Sequence, residues 1–438
     1  MKTVNEPRIF FNTLSQIISR FLVVAISLLT TAVLTRTLGS EGYGNYVFLT
    51  SFTLIFVGLS DLGTTTISIR DSSINKEKIK ENFDNLIGLR LILSLLAVLF
   101  FNVLVFFLPQ FSNLKLEAVV ASSVIVFLIL RTTAQAIFQT YYRLDKSSLL
   151  EIIASFLFLL AVIFSIRLFG KSPAPLFSLM VFWSLSALVS GAVGIFSARK
   201  YFSLKIEIKG EKTISLLRES LPLGFYLLVY SVYDRGIDSF IIKSFAGSSA
   251  VGFYGLAYKI HGNLILGAAF LMNSLFPFVS SIKEEKLKLK KTFEKAYTVL
   301  FLSGTLILFL GFFLSPFIIK IIGGEGFSPS VNVLRILLWA TLFSYLNHLN
   351  GYLMVAIGKQ KSLLSFSLFS LSLNLILNLI FVPIFSFWAA SFITVITEFS
   401  ILLLSSVYLK NNFDLKYSLS LLKLNVKEML IKKQDFFA

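Results

Sequence analysis

Gly39-Ser40-Glu41-Gly42-Tyr43-Gly44-Asn45-Tyr46 separates two apolar runs, roughly 10–34 and 43–67, each close to the length of about 20 residues that a bilayer-spanning helix needs. The octet returns as Gly247-Ser248-Ser249-Ala250-Val251-Gly252-Phe253-Tyr254, again between two such runs. Both glycines, the serine and the final tyrosine stay in register. G-S-x-x-x-G-x-Y reads as a tight turn, because glycine permits positive φ and tyrosine anchors the following helix at the membrane interface. Membrane hairpins favour glycine and aromatics in general, but identities at one constant offset, joining equivalent runs, point to an internal duplication.

The rest of the chain has the same character. Twelve apolar runs follow one another, roughly 10–34, 43–67, 84–108, 118–141, 149–169, 176–197, 221–244, 253–279, 296–320, 331–356, 363–384 and 388–409. Of 438 residues, 56% are hydrophobic, 14% are charged and 47 are phenylalanine; the mean hydropathy is +0.82. A soluble protein averages roughly 25% charged residues. A globule in water could not bury this much apolar surface, so lipid is the solvent. Long continuous runs also exclude a barrel of alternating strands. No cleavable leader is expected, since the first run is too long and no small-residue cleavage site follows it.

The absence of cysteine excludes disulfides, thiolate zinc sites, iron–sulfur ligation and cysteine nucleophiles. The two histidines, His261 and His348, are too far apart in sequence for a metal motif. No cofactor is called for.

The net charge of +17 follows membrane topology. With the N-terminus in the cytoplasm, the segments facing it carry most of the 40 Lys and Arg, while the other side receives only Arg36, Lys115, Arg167, Lys171, Lys243 and Lys320. That is the positive-inside pattern, and nucleic acid is not needed as a partner. The expected fold is therefore an all-α integral membrane protein of twelve transmembrane helices in two six-helix lobes, a parallel pseudo-repeat. Residues 1–200 form the N-terminal lobe, 201–220 a cytoplasmic basic linker, 221–410 the C-terminal lobe and 411–438 a basic cytoplasmic tail, with both termini cytoplasmic. Similar bundles facing each other across a central cavity can rock to alternate access.

Arg20, Arg90, Arg131, Arg235, Lys259 and Arg335 fall within the runs. Arg90 and Arg335 are near enough to run ends to snorkel. Each of Arg20, Arg131, Arg235 and Lys259 costs about 2.5–3.5 kcal/mol on insertion scales, so these four are expected to face a wet cavity or a partner. The acids read as intramembrane are Asp61, Asp234, Asp238 and Glu398. Asp234 and Asp238, with Arg235, can pair along one helix flank or carry a proton or sodium ion as access alternates. Glu398 is protonated, paired with a distant arginine, or functional; Asp61 reads as structural, with ion coupling as its other role. His348 with Asn347 and Asn350, and the Asn374/Asn378 pair, are expected to make interhelical hydrogen bonds. A cavity with excess positive charge calls for an anionic cargo, and arginine suits phosphate.

Several motifs resemble one family. Asn12-Thr13-Leu14-Ser15-Gln16 with Arg20, Arg36-x-Leu38-Gly39-x-x-Gly42-x-Gly44-x-Tyr46, Asp61-Leu62-Gly63, Asp234-Arg235-x-x-Asp238, Gly252-Phe253-Tyr254 and Asn378-x-x-x-Val382-Pro383…Ala389-Ala390…Glu398 resemble the Wzx-like polysaccharide flippases of the multidrug/oligosaccharidyl-lipid/polysaccharide superfamily. Trp388 stands where that family often has glycine. The resemblance implies a MATE-like fold and a non-enzymatic transporter in the cytoplasmic (inner) membrane. Its cargo would be an undecaprenyl- or other polyprenyl-pyrophosphate-linked oligosaccharide, an O-antigen or other surface-polysaccharide repeat unit, moved from the inner to the outer leaflet. Arg20, Arg131 and Arg235 would face the phosphates or acidic sugars, and a glycan polymerase is the protein partner to look for beside membrane lipid. A multidrug cation antiporter of the same fold would need an acid-rich cavity. A membrane-embedded glycan polymerase or ligase would need groups assembled on a sizeable outer loop, whereas every outer connection here is short.

Overall fold

The computed structural model describes residues 6–74, 79–170, 175–201, 210–235 and 237–415. Among these, every regular element is helical: α1 (Glu6–Asp61), α2 (Thr64–Ile74), α3 (Ile79–Phe107), α4 (Lys115–Thr140), α5 (Leu144–Phe169), α6 (Pro175–Ala198), α7 (Gly210–Arg235), α8 (Ile237–Ser281), α9 (Lys286–Gly323), α10 (Pro329–Ala356) and α11 (Gln360–Phe413), with short 3₁₀ turns at Pro109–Phe111 and Glu325–Phe327. Among the described residues, nine helices, all but α2 and α7, are long and apolar enough to cross a bilayer.

A straight α1 of 56 residues would run about 84 Å at 1.5 Å per residue, more than twice the apolar thickness of a bilayer. It breaks instead at Gly39, with φ 66° and ψ −175°. α8 breaks at Gly247, the equivalent position, with φ 82° and ψ −177°. This pairing of angles is essentially open only to glycine, as the turn motif requires. α11 breaks at Ser386, three residues after Pro383. The apolar run expected over 43–67 also ends early. Leu62 (φ 43°) and Gly63 (φ 74°) are both left-handed, so the chain leaves α1 at Asp61 and restarts as α2.

The chain forms two compact units, Met1–Gly252 with Ile322–Gly326, and Phe253–Ile321 with Phe327–Ala438. The first is packed around Phe83, Leu86, Ile137, Phe138 and Leu150. A second cluster joins Phe48, Phe52, Phe56, Phe101 and Phe111, with ring centroids 4.8–5.2 Å apart for the closest pairs. α7 opens as a helix within the expected basic linker, because its first turns are tied down. Lys212 pairs with Glu81 at 3.2 Å, Thr213 donates to Asn85 at 2.7 Å, and Glu219 pairs with Arg70 at 2.6 Å.

The second unit is packed around Met272, Phe293, Tyr297, Leu349, Met354 and Leu409. Its helix α9 starts ten residues ahead of the apolar run expected at 296, in the lysine-rich stretch Lys286–Lys295. Leu289, Phe293, Ala296, Tyr297 and Leu300 recur at helical spacing and are all buried, so packing holds this basic stretch in the helix.

Candidate functional site

The first unit holds ionisable side chains on helices long and apolar enough to cross a bilayer, in two networks on either side of α4. Arg131, Thr132 and Thr133 follow one another along that helix, which turns the threonines to one network and the arginine to the other.

In the first network the Arg90 guanidinium is buried and bonds Asp61 at 2.7 Å, Thr133 at 2.5 Å and Thr132 at 3.1 Å. Thr65 also donates to the Asp61 carboxylate. This corrects the expectation that Arg90 snorkels. The carboxylate at the break after α1 and the two threonine hydroxyls accept from the guanidinium in place of water. One cation and one anion close this network on itself, which fits the structural reading of Asp61.

In the second network Arg20 Nη1 lies 3.0 Å from Glu151 Oε1. Arg131 lies within electrostatic reach of the same carboxylate, and its buried Nε has no hydrogen-bond partner. Glu151 was not among the intramembrane acids expected from the sequence. Hairpin symmetry would have found it: α4 and α5 are joined by a three-residue turn at 141–143, and residues equally far from such a turn are level. Glu151 is about 10 Å along α5 from Leu144 and Arg131 about 13 Å along α4 from Thr140, at 1.5 Å per residue.

The wheel of each helix decides which way this network opens. On α1 the exposed apolar stripe is Ile18, Phe21, Leu22, Ala25 and Leu29, and Arg20 lies on the opposite side with Gln16. On α5 the stripe is Leu149, Phe156 and Phe164, with Glu151 again opposite. Arg20 and Glu151 are nonetheless 40% and 38% exposed. The accessible side of the pair is therefore turned away from the lipid-facing stripes. Two guanidiniums against one carboxylate leave an uncompensated positive charge among the described residues, in contrast to the neutral Arg90–Asp61 pair.

The other expected residues are not drawn into this network. The side chains of Asp234 and Arg235 lie outside the described residues. Asp238 is buried at the start of α8. Lys259 is exposed on α8 in the second unit. There, Glu398 accepts hydrogen bonds from Ser344 at 2.6 Å and Asn347 at 2.9 Å, joining α11 to α10. Asn350 joins the same helices through Ser405 and Ser406. Two other residues of this set bond within their own helices. His348 bonds the Ser344 carbonyl, and Asn378 donates to Asn374, each one turn back on its own helix.

The sequence model of the polysaccharide biosynthesis protein family matches residues 9–283, and the MatE model matches 222–380. A Shigella flexneri protein named for O-antigen transport is 23% identical over 351 residues, 75% of this chain and 80% of that protein. One of the same name from Escherichia coli strain K12 is 26% identical over 330 residues, 71% and 75% of the two chains. Among solved structures, lipid II flippase MurJ in an inward closed conformation matches with a TM-score of 0.73 at 14% identity, covering 96% of this chain and 92% of that one. An inward-facing multidrug resistance MATE transporter matches at 0.69 and 13% identity, over 91% and 98%. At such identities these structures carry the fold alone, and the fold is MATE-like. With more than half of its length matched by the first family model, this multi-pass membrane chain belongs to the polysaccharide biosynthesis protein family, as a Wzx-like member of the multidrug/oligosaccharidyl-lipid/polysaccharide superfamily.

Proposed function

We propose that the chain is a flippase that carries a polyprenyl-pyrophosphate-linked oligosaccharide from the inner to the outer leaflet of the cytoplasmic membrane by alternating access, with both termini in the cytoplasm. The observation that carries this reading is the Arg20–Glu151–Arg131 network. It holds net positive charge at membrane depth, on helix faces turned away from lipid. Fixed cations in that setting cost too much to serve packing alone, and a lipid diphosphate presents the matching charge at the matching depth. The relatives named for O-antigen transport and the lipid II flippase neighbour support the cargo class. MATE neighbours are known in inward-facing and outward-facing conformations, which supports alternation of this fold. The multidrug cation antiporter fits less well, because a cationic drug would meet the wrong sign of charge at these arginines.

Arg20→Ala and Arg131→Ala are each expected to abolish surface-glycan export while the protein reaches the membrane at normal level, read by glycan staining beside an immunoblot. Normal export from both variants would overturn the cationic-site reading. By sequence alone Arg235 and Lys259 stay candidates for cargo binding, and Asp234, Asp238, Glu398 and Asp61 for ion coupling. Of these, Asp238 is buried at the start of α8, three residues after Arg235 in the sequence. Asp238→Asn is expected to flatten the dependence of transport on a proton or sodium gradient imposed across vesicles. An unchanged gradient response would reduce Asp238 to packing.

A further inference from the structure

The flippase reading uses the charge of the Arg20–Glu151–Arg131 network and leaves the Glu151 carboxylate itself without a role. We propose that Glu151 is an internal counter-anion, which occupies the arginine pair while no cargo is bound and competes with the diphosphate for it. This rests on the reading of Arg20 and Arg131 as the cargo's phosphate-binding pair.

The ion pair is incomplete. Arg20 meets Glu151 through a single nitrogen, at 3.0 Å, whereas a guanidinium offers five donors in a fork. Arg131 keeps a buried Nε with no partner. A carboxylate has two oxygens and one charge, so it cannot satisfy two guanidiniums. A disubstituted diphosphate carries two negative charges and more oxygens spread over two phosphorus centres, which fits the pair better.

The pair is also exchangeable. Both Arg20 and Glu151 are accessible, so the carboxylate can swing off by side-chain rotation alone. In the Arg90–Asp61 pair the arginine side chain is 2% exposed, and no such exchange is open to it. A carrier has to let its cargo go as well as take it up, and a bare arginine pair would hold a diphosphate too well. A tethered carboxylate at the same place weakens the bound state and refills the site on release.

The test uses the full chain in nanodiscs and one probe, a synthetic farnesyl-diphospho-N-acetylglucosamine, with binding and liposome flipping measured side by side and thermal melting as the control for folding. Glu151→Gln removes the charge and keeps the shape. It is expected to bind the probe about tenfold more tightly, equivalent to about 1.4 kcal/mol, and to flip it more slowly. Glu151→Asp, which keeps the charge, is expected to behave like the parent, and Arg20→Ala to bind about tenfold more weakly. A folding defect weakens binding, so tighter binding is a gain that a merely structural role would not produce. Unchanged or weaker binding by Glu151→Gln, with Arg20→Ala still weakened, would overturn the competitor role and leave the cargo site standing. Failure of the parent to bind the probe, or binding indifferent to both Arg20→Ala and Arg131→Ala, would overturn the cargo site itself.

Discussion

Asp61→Ala is expected to destabilise the protein by about 3–5 kcal/mol, because it leaves a buried guanidinium without its counter-charge. Arg90 has no route to water, being 1% exposed. Its Nε is already without a hydrogen-bond partner, so only Asp61, Thr132 and Thr133 answer its charge among the described residues. The two threonines supply dipoles but no charge. Removing the other partner should matter less. In Arg90→Met the Asp61 side chain, 24% exposed, can take a proton or hydrate, so the expected loss is about 1–2 kcal/mol. The double substitution Asp61→Ala with Arg90→Met should then return to within about 1 kcal/mol of Arg90→Met alone, since no buried charge is left without a partner. Denaturant titration of the protein in micelles measures all of these. A double variant as unstable as Asp61→Ala alone would show that the loss comes from the break between α1 and α2, where Asp61 also accepts from Thr65, and not from the stranded charge.

The sequence and the structure agree where a reading depends on one helix; of those that depend on two, Asn347 and Asn350 link α10 to α11 as expected, and Arg90 departs. Length and hydropathy dictate where apolar runs start and stop, and the conformation of Gly39 and Gly247 follows from a local turn. Whether a mid-membrane arginine snorkels is a different question. Arg90 lies near the start of its run, and depth alone suggested the headgroups; its answer came from Asp61 on another helix. The Asn374/Asn378 pair shows a local alternative. Spacing of one turn lets the Asn378 amide donate to Asn374 on the same helix, a bond the sequence reading had placed between helices. Glu151 was missed because an acid close to the edge of an apolar run looks like a boundary residue. Counting residues either side of the 141–143 turn would have placed it within about 3 Å of the level of Arg131. Of the candidate site, sequence supplied the cations Arg20 and Arg131; the anion that joins them needed the packing of α1 against α5.

Gly44→Ala is expected to lower stability by about 3 kcal/mol and to abolish export, an effect at the upper end of what overpacking costs. An added Cβ would lie 1.8 Å from the Ser248 carbonyl oxygen and 2.9 Å from Gly252 N, both backbone atoms that no rotamer change can move aside. The equivalent glycine repeats the contact in reverse: a Cβ on Gly252 would lie 2.2 Å from the Ser40 carbonyl oxygen and 3.3 Å from Gly44 N. Each turn thus presses its second glycine onto the serine of the other, the reciprocal arrangement of a two-fold interface. Lys243 crosses the same seam, donating to Asn45 at 2.6 Å and to Ser248. Because one seam serves both glycines, opening it for the first methyl makes room for the second. Gly252→Ala should cost about as much as Gly44→Ala, yet the double variant should cost clearly less than their sum, with an interaction energy of about 1 kcal/mol or more. Gly351→Ala is the control, since a Cβ there meets nothing within 4 Å inside α10; it should be neutral or stabilising by about 0.5–1 kcal/mol. Strictly additive losses from the two turn glycines would mean that each is held by its own surroundings, and the duplicated motif would then be two separate turns that merely look alike.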